Sequence, residues 1–175
     1  MGRMKSIISA PEKLNRNHIV EHFDCGNPEL NIWLQRFAFQ NQKANAAITF
    51  VACLKKKVIA YYSLAVGSIE HQHATPRVKK GLARHSIPVM IIARLAVDIK
   101  FQGQKIGKGL LKDAILRTLN ASEHAGIRAI FVHAKNEKAS KFYQSFDFEP
   151  CPIDPFKLML LLKDARKISN TVMCS

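Results

Sequence analysis

The sequence FQGQKIGKGLLKDA, Phe101–Ala114, is the most informative part of the chain, because it places a glycine-rich turn directly before an apolar helical pattern. The residues before it, VMIIARLAV at 89–97, have the continuous apolar character of a buried strand. Closely spaced backbone N–H groups in such a turn, together with the N-terminus of a helix, suit a bound anion. The strand–turn–helix order therefore predicts a phosphate-binding turn.

Two common phosphate-binding motifs do not fit the spacing of this turn. A P-loop has four residues between its first glycine and its Gly-Lys pair, whereas only three residues separate Gly103 from Gly107. Lys108 is also followed by Gly109 and not by the Ser or Thr that would hold Mg²⁺. A dinucleotide-binding fingerprint that begins at Gly107 would need a glycine where Lys112 stands. Both motifs are excluded.

The spacing that does fit is Gln104-x-x-Gly107-x-Gly109. It resembles the Q/R-x-x-G-x-G/A motif of the GCN5-related N-acetyltransferases (the GNAT family), whose turn holds the pyrophosphate of acetyl-CoA. The resemblance implies that acetyl-CoA is the co-substrate and that its pyrophosphate is bound by the whole turn: Gln104, Lys105, Ile106, Gly107, Lys108 and Gly109. The alternative is that the glycines only start a helix.

The composition is that of a single globular domain. The 175 residues can bury a substantial core, and 47% of them are hydrophobic. No apolar run approaches the roughly 20 residues that span a bilayer. The four cysteines are scattered, and His71 and His73 have no further ligand cluster near them in the sequence. These features predict a cytoplasmic protein with reduced thiols, no metal and no membrane contact.

The charge is strongly positive and unevenly placed. The net charge is +14, and residues 30–97 contain ten Lys or Arg but a single acid, Glu70. Ordinary surfaces mix the two signs, so the excess favours a polyanionic partner, with nucleic acid ahead of a membrane because no basic amphipathic helix is evident. A merely basic soluble enzyme remains the alternative.

The pattern along the chain predicts an α/β domain over residues 1–163. Asn27 and Pro28 resemble an N-cap and first helical position, so a helix is expected over 28–43. Periodicity then predicts a hairpin (47–54 and 58–69), a basic loop (70–87), a strand (89–97), the turn and a helix, a strand (127–134), a helix from Asn136 and a strand (156–162). Residues 164–175 are expected to form a flexible polar tail. The predicted sheet is mixed, with helices on its flanks.

This order of elements extends the resemblance over most of the chain. The runs HFDCGNPELNIWL, YYSLAVGS, IPVMIIARLAVDIKFQGQKIGKGLL and AIFVHAKNEKASKFY, within residues 20–162, are similar to the acetyltransferase toxins of bacterial toxin–antitoxin modules, the TacT/AtaT type. That resemblance implies acetylation of the α-amino group of aminoacyl-tRNA, which blocks translation. It also implies a homodimer, neutralisation by a ribbon-helix-helix antitoxin, and contact with operator DNA through that antitoxin.

The same resemblance assigns roles to further residues. Leu95, Ala96 and Val97 would bind the pantetheine arm and thioester through backbone groups, one of which could serve the developing oxyanion. Tyr143 would be the catalytic proton donor to the leaving thiolate and a cofactor contact. Asn136 would contact CoA. The alternatives are that Tyr143 is a core tyrosine and that Asn136 is only an N-cap.

The expected tRNA surface consists of basic residues on the first predicted helix, in the long loop and on the strand after it: Arg36, Lys43, Arg77, Lys79, Lys80, Arg84 and Arg94. No general base is obvious, since neither His133 nor Asp98 has a partner in the sequence pattern. An α-amino group has a pKa near 8, which an adjacent ester lowers further, so it needs less help than a lysine amine. A protein or small-molecule N-acetyltransferase, and a non-catalytic CoA-holding nucleic-acid-binding module, remain the alternatives.

Overall fold

A computed structural model describes residues 7–173, with side chains to residue 170. Within those residues, seven strands form one sheet in the order β1-β2-β3-β4-β5-β7-β6. β4 and β5 run parallel, whereas β1/β2, β2/β3, β5/β7 and β6/β7 are antiparallel, so the sheet is mixed as predicted. The strands are β1 (Glu12–Lys13), β2 (Ile48–Leu54), β3 (Lys57–Ile69), β4 (Ile87–Val97), β5 (Ala129–His133), β6 (Glu149–Pro150) and β7 (Lys157–Leu161).

Six α-helices accompany the sheet in the described part of the chain: α1 (Pro28–Ile32), α2 (Ala38–Lys43), α3 (Pro76–Lys79), α4 (Ile106–Ala121), α5 (Glu137–Gln144) and α6 (Leu162–Met173). Short 3₁₀ turns occur at His71–His73 and Ile99–Phe101. Within residues 7–173 no helix combines the length and the apolar character needed to cross a membrane.

The first helix has the predicted bounds but not the predicted regularity. The Asn27 side chain accepts hydrogen bonds from the N–H groups of Glu29 and Leu30, so the N-cap is confirmed. Between α1 and α2 the chain forms a π-helical turn at Trp33–Phe37, in which the Ala38 N–H donates to the Trp33 carbonyl. The helical path therefore continues from residue 28 to residue 43 with one wide turn inside it.

Two segments that were predicted to be irregular contain helices. The basic loop at 70–87 includes α3, whose first turn is capped by Thr75: its hydroxyl accepts from the Val78 N–H. Residues 164–173 of the predicted polar tail are helical, because they belong to α6, where Leu162 and Ala165 are buried, and the flexibility of this tail stays a prediction. Residues 174–175 lie outside the described part of the chain.

The contacts group the described residues into two compact units. The first comprises the described residues up to Leu64 together with Arg94–Asp113, and the second comprises Ala65–Ala93 and the described residues from Ala114 onward. The core of the first unit contains Leu14, Phe23, Trp33, Leu34, Val51, Tyr61 and Ala96. The core of the second contains Ala74, Val78, Ile87, Val89, Ala129 and Met159.

Candidate active site

The glycine-rich turn follows β4 in the first unit, and the segment that leads into it is held by two side chains, those of Asp98 and Gln102. Buried Asp98 accepts from the Lys100 N–H through one carboxylate oxygen and from the Asp24 N–H through the other. Gln102 donates its side-chain amide to the carbonyls of Val97 and Cys25, at 2.9 and 3.2 Å. Asp98, which has no partner in the sequence pattern, therefore has a structural role in fixing the segment that leads into this turn.

The turn itself requires unusual backbone angles before α4 begins. Gly103 has a φ of 80° and Lys105 a φ of 63°, both in the left-handed region. The helix then starts at Ile106, and the Gly109 N–H donates to the Lys105 carbonyl at 3.2 Å. The first N–H groups of a helix have no carbonyl of that helix to donate to. The predicted turn at 104–109 thus presents the N-terminal end of a long helix, which suits an anion.

Gly109 is not explained by the fold. A methyl group built at this position would meet no atom of the described residues within 4 Å apart from its chain neighbours and the nearby backbone of the helix itself, and the φ of Gly109 is not in the left-handed region. Glycine inside a helix costs about 1 kcal/mol relative to alanine. Because neither packing nor backbone angle requires glycine here, the bare surface of the first turn is consistent with close approach of a bound group.

The predicted pantetheine strand is the end of β4. In the second unit β4 pairs with β5 from Val89 with Ala129 to Ile92 with Val132. β4 then continues to Val97, and its last residues belong to the first unit, where Ala96 contributes to the core. The backbone of Leu95, Ala96 and Val97 is thus extended, as the predicted role requires.

Tyr143 lies on α5 in the second unit and is buried, with only 6% of its surface exposed. Burial raises the pKa of its phenol, so the neutral form is favoured. The ring contacts those of Phe142 and Phe148. Its hydroxyl makes no hydrogen bond to any residue of the described chain, whereas the buried tyrosines Tyr61 and Tyr62 donate to Leu30 and Asp113.

This difference bears on the choice between a core tyrosine and a catalytic one. A buried structural tyrosine usually has a partner for its hydroxyl. Tyr143 keeps its hydroxyl unused within the described residues, which favours a role toward a bound molecule. Asn136 does act as an N-cap, since its Oδ1 accepts from the Ala139 N–H at 2.9 Å. Its contact with CoA stays a prediction.

The predicted tRNA-binding residues differ in their exposure and in whether they already contact other residues of the protein. In the first unit Arg36 and Lys43 are exposed, but the Arg94 guanidinium stacks on Trp33 at 4.0 Å, and burial lowers its pKa. In the second unit Lys80 and Arg84 are exposed and Lys79 is partly buried. Arg77 pairs with Asp164 and with Glu149. Hydrogen bonds with these two carboxylates raise the pKa of Arg77.

Sequence reasoning missed the residue that orders the basic loop. Arg128, just before β5, donates to the Val78 carbonyl at 2.8 Å and to the Lys80 carbonyl at 3.0 Å. It thereby holds the C-terminal end of α3. An arginine far along the chain carries no local signal of such a role. His133, considered as a base, lies exposed at the end of β5 opposite Lys157.

A family model for an acetyltransferase (GNAT) domain matches residues 45–150. The chain is 42% identical over 160 residues to the tRNA-acetylating toxin of Mycobacterium tuberculosis (strain ATCC 25618 / H37Rv), which covers 91% of this chain and 96% of that protein. The relationship therefore extends over nearly the whole of both chains.

Solved structures give the same result. AtaT complexed with acetyl-methionyl-tRNAfMet is similar with a TM-score of 0.85 and 27% identity, covering 93% of this chain and 99% of that one. A mutant AtaT bound to the C-terminus of the antitoxin AtaR and acetyl-CoA has a TM-score of 0.79 and 27% identity, covering 93% and 97%. The predicted fold is confirmed, and the chain belongs to the GNAT acetyltransferase family.

Proposed function

We propose that this protein is a toxin that transfers the acetyl group of acetyl-CoA to the α-amino group of an aminoacyl-tRNA and so stops translation. The observation that carries the proposal is the 42% identity, over 91% of the chain, to a protein named as a tRNA-acetylating toxin. The similarity to AtaT in complex with acetyl-methionyl-tRNAfMet supports the same substrate class.

Acetyl-CoA binds with its pyrophosphate on the turn from Gln104 to Gly109. The N-terminal end of α4 supplies backbone N–H groups and the positive end of the helix dipole. The bare surface at Gly109 supports this placement. The extended backbone of Leu95, Ala96 and Val97 receives the pantetheine arm, and a backbone N–H there stabilises the oxyanion of the tetrahedral intermediate.

Tyr143 supplies the proton that the leaving thiolate needs. The neutral α-amine attacks the thioester carbonyl, the intermediate collapses, the C–S bond breaks, and the thiolate takes the phenolic proton. Because burial raises its pKa, Tyr143 carries that proton throughout the neutral range. The phenolate recovers a proton from water, and the ammonium formed by attack loses one to water, so no side-chain base is required.

The basic residues bind phosphates of the tRNA and carry no sequence information themselves. The more exposed cations are Lys80 and Arg84 in the second unit, beside the partly buried Lys79, and Arg36 and Lys43 in the first, where the Lys43 ammonium also lies 5.9 Å from the centre of the Phe39 ring. Arg77 and Arg94 remain in the predicted set, but their guanidinium groups already pair with carboxylates and with Trp33, so they contribute less.

The partner that restrains the toxin is a ribbon-helix-helix antitoxin, through which the complex reaches operator DNA. The similarity to an AtaT chain bound to the C-terminus of AtaR supports a small antitoxin as partner. Its binding segment is expected to be acidic, since the chain carries a net charge of +14. The active toxin is a homodimer and acts in the cytoplasm.

The decisive experiment supplies labelled acetyl-CoA together with total charged tRNA, with basic peptides and with polyamines in parallel. We expect label on the amino acid of charged tRNA, released by mild base together with that amino acid. Label that enters only peptides or polyamines would instead identify a protein or small-molecule acetyltransferase. Binding of acetyl-CoA with no transfer to any acceptor would identify a non-catalytic module.

A further inference from the structure

Three side chains that can ligate metals meet in the first unit, outside the acetyl-transfer site. One ligand atom each of Glu12, His18 and Cys53 lies within 4.8 Å of the other two. They come from β1, from the loop after it and from β2, so the fold and not local sequence brings them together. The cluster borders a cavity of about 300 Å³ that is also lined by Ser9, Asn15, Lys55 and Lys56.

Backbone hydrogen bonds fix these segments relative to one another. The Ser9 N–H donates to the Cys53 carbonyl at 2.8 Å, and the Cys53 N–H donates to the Ser9 hydroxyl at 2.9 Å. β1 pairs with β2, and the Ile19 N–H donates to the Lys56 carbonyl at 2.8 Å. The backbone positions of the three ligand residues are therefore set before anything binds, whereas the Glu12 and His18 side chains must adjust to the ion.

The geometry does not suit a cysteine nucleophile. Both nitrogens of the His18 ring are occupied, because Nδ1 accepts from the Asn15 N–H at 2.9 Å and Nε2 contacts the Glu12 carboxylate at 2.7 Å. Neither is left to take the thiol proton as a base. Burial also raises the pKa of the Cys53 thiol to about 11, so little thiolate exists at neutral pH.

We propose that Glu12, His18 and Cys53 form a zinc site in which the carboxylate, Nε2 of the imidazole and the thiolate bind one ion, with water as the fourth ligand. A site made of thiolate, imidazole and carboxylate ligands binds zinc in preference to the alkaline-earth cations. His18 and Cys53 are well enclosed: the His18 side chain is 4% exposed and Cys53 is 4% exposed. Glu12 is 59% exposed and can turn from His18 toward an ion.

The charges and protons balance when zinc binds. The ion displaces the thiol proton of Cys53 to solvent, and the proton on Nε2 of His18 moves to Nδ1 as Nε2 takes the metal. Because the Asn15 N–H donates to Nδ1 in the ion-free protein, the imidazole ring must turn away from it as Nδ1 gains the proton. The lost hydrogen bond and this movement are costs that the bonds to zinc must exceed. Thiolate and carboxylate together neutralise the ion, so the neighbouring Lys55 and Lys56 meet a site without net charge.

Zinc at this position would join the segment before α1 to the β2–β3 hairpin. It would stabilise the folded state by mass action, because the unfolded chain does not hold the three ligands together. The inference is independent of the proposed acetyl transfer.

The test uses untagged protein and Co²⁺, which replaces zinc and reports thiolate ligation by a charge-transfer absorption in the near ultraviolet. We expect saturation at one ion per chain, displacement of Co²⁺ by Zn²⁺, and a melting temperature that rises with Zn²⁺ concentration. Cys53→Ser should abolish the absorption, whereas Cys25→Ser should retain it. Absence of the absorption in the wild type, or its persistence in Cys53→Ser, overturns the proposal.

Two further variants keep the test valid if Cys53→Ser folds poorly. His18→Asn should weaken zinc binding by at least about tenfold, and its matched control His22→Asn, at an exposed histidine, should not. Glu12→Gln alters a mostly exposed side chain and should fold normally while losing affinity in the same direction. Equal zinc affinity for wild type, His18→Asn and Glu12→Gln in calorimetry excludes the site.

Discussion

The buried residues Tyr61 and Tyr143 differ in whether the hydroxyl group has a hydrogen-bond partner. Removing the hydroxyl should therefore have a different effect at each position. The Tyr61 hydroxyl donates to the Leu30 carbonyl at 2.7 Å, whereas the Tyr143 hydroxyl has no partner in the described chain. We expect Tyr143→Phe to keep its melting temperature and its acetyl-CoA affinity but to lose about 10²- to 10⁴-fold in turnover. Steady-state kinetics and calorimetry on one preparation measure all three.

Tyr61→Phe is the matched control for that variant. It removes one of the two hydrogen bonds that the Leu30 carbonyl accepts, the other coming from the Trp33 N–H, and should destabilise the protein by about 1 kcal/mol. Its turnover should remain close to that of the wild type at temperatures where it is folded. If Tyr143→Phe changes turnover by less than about threefold, the thiolate leaves without a proton from this phenol.

At the scale of single elements, the first turn of α4 predicts opposite effects on stability and on cofactor binding. Gly109→Ala should stabilise the helix by about 1 kcal/mol, because a methyl group there meets no neighbouring atom. The same methyl group would occupy the surface against which the pyrophosphate lies. We therefore expect a higher melting temperature together with an acetyl-CoA affinity lowered by about tenfold or more.

Asn120→Ala provides the comparison at the other end of α4. Asn120 is exposed in the last turn, so this change should also raise helix stability slightly but leave acetyl-CoA affinity unchanged. Gly107→Glu should block the site more strongly, by bulk and by charge. Wild-type affinity of both Gly109→Ala and Gly107→Glu in calorimetry would show that the pyrophosphate binds elsewhere.

The elements that sequence reasoning found are those whose signal is local. Asn27 and Pro28 marked the start of the first helix, and Gln104, Gly107 and Gly109 marked the turn. The π-helical turn at 33–37 could not be foreseen, because π and α turns use the same residue types. The sequence did not predict α6 because its buried side, with Leu162 and Ala165, is narrow and the residues between and after these two are mostly charged.

For the molecule as a whole, the positive charge predicts steep salt dependence. Removing one cation that pairs with a tRNA phosphate should reduce the slope of log affinity against log salt by about 0.7 to 0.9. Lys79→Ala combined with Lys80→Ala should therefore weaken binding of all tRNAs together and flatten this slope. Fluorescence anisotropy with several charged and uncharged tRNAs at graded salt concentrations measures the effect.

The control for total charge is Lys163→Ala combined with Arg166→Ala, which removes two exposed cations of α6 outside the predicted surface. It should leave the slope nearly unchanged. Equal slopes for the Lys79/Lys80 double variant and the wild type would remove this loop from the tRNA surface, while acetylation of tRNA by that variant would leave the proposed activity intact.

Ion pairs and ring contacts between residues that are distant in the sequence depend on the whole fold, so the sequence alone does not predict which cations they involve. Arg77 and Lys80 look equivalent in the sequence, yet Arg77 pairs with two carboxylates, one on β6 and one on α6, and Lys80 does not. Arg94, which was predicted to bind phosphate, stacks on Trp33. The meeting of Glu12, His18 and Cys53 likewise depends on strand pairing between distant segments.

The hydrogen bonds that Arg128 donates to the basic loop have a consequence for proteolysis. A lysine- and arginine-rich loop is ordinarily a preferred target of trypsin, because the protease must draw an extended segment into its cleft. The hydrogen bonds from Arg128 to the carbonyls of Val78 and Lys80 oppose that extension. Arg84 lies in an exposed stretch that follows these bonded residues. Brief digestion should therefore cut after Arg84 before it cuts after Lys79 or Lys80, and Arg128→Gln should abolish this order.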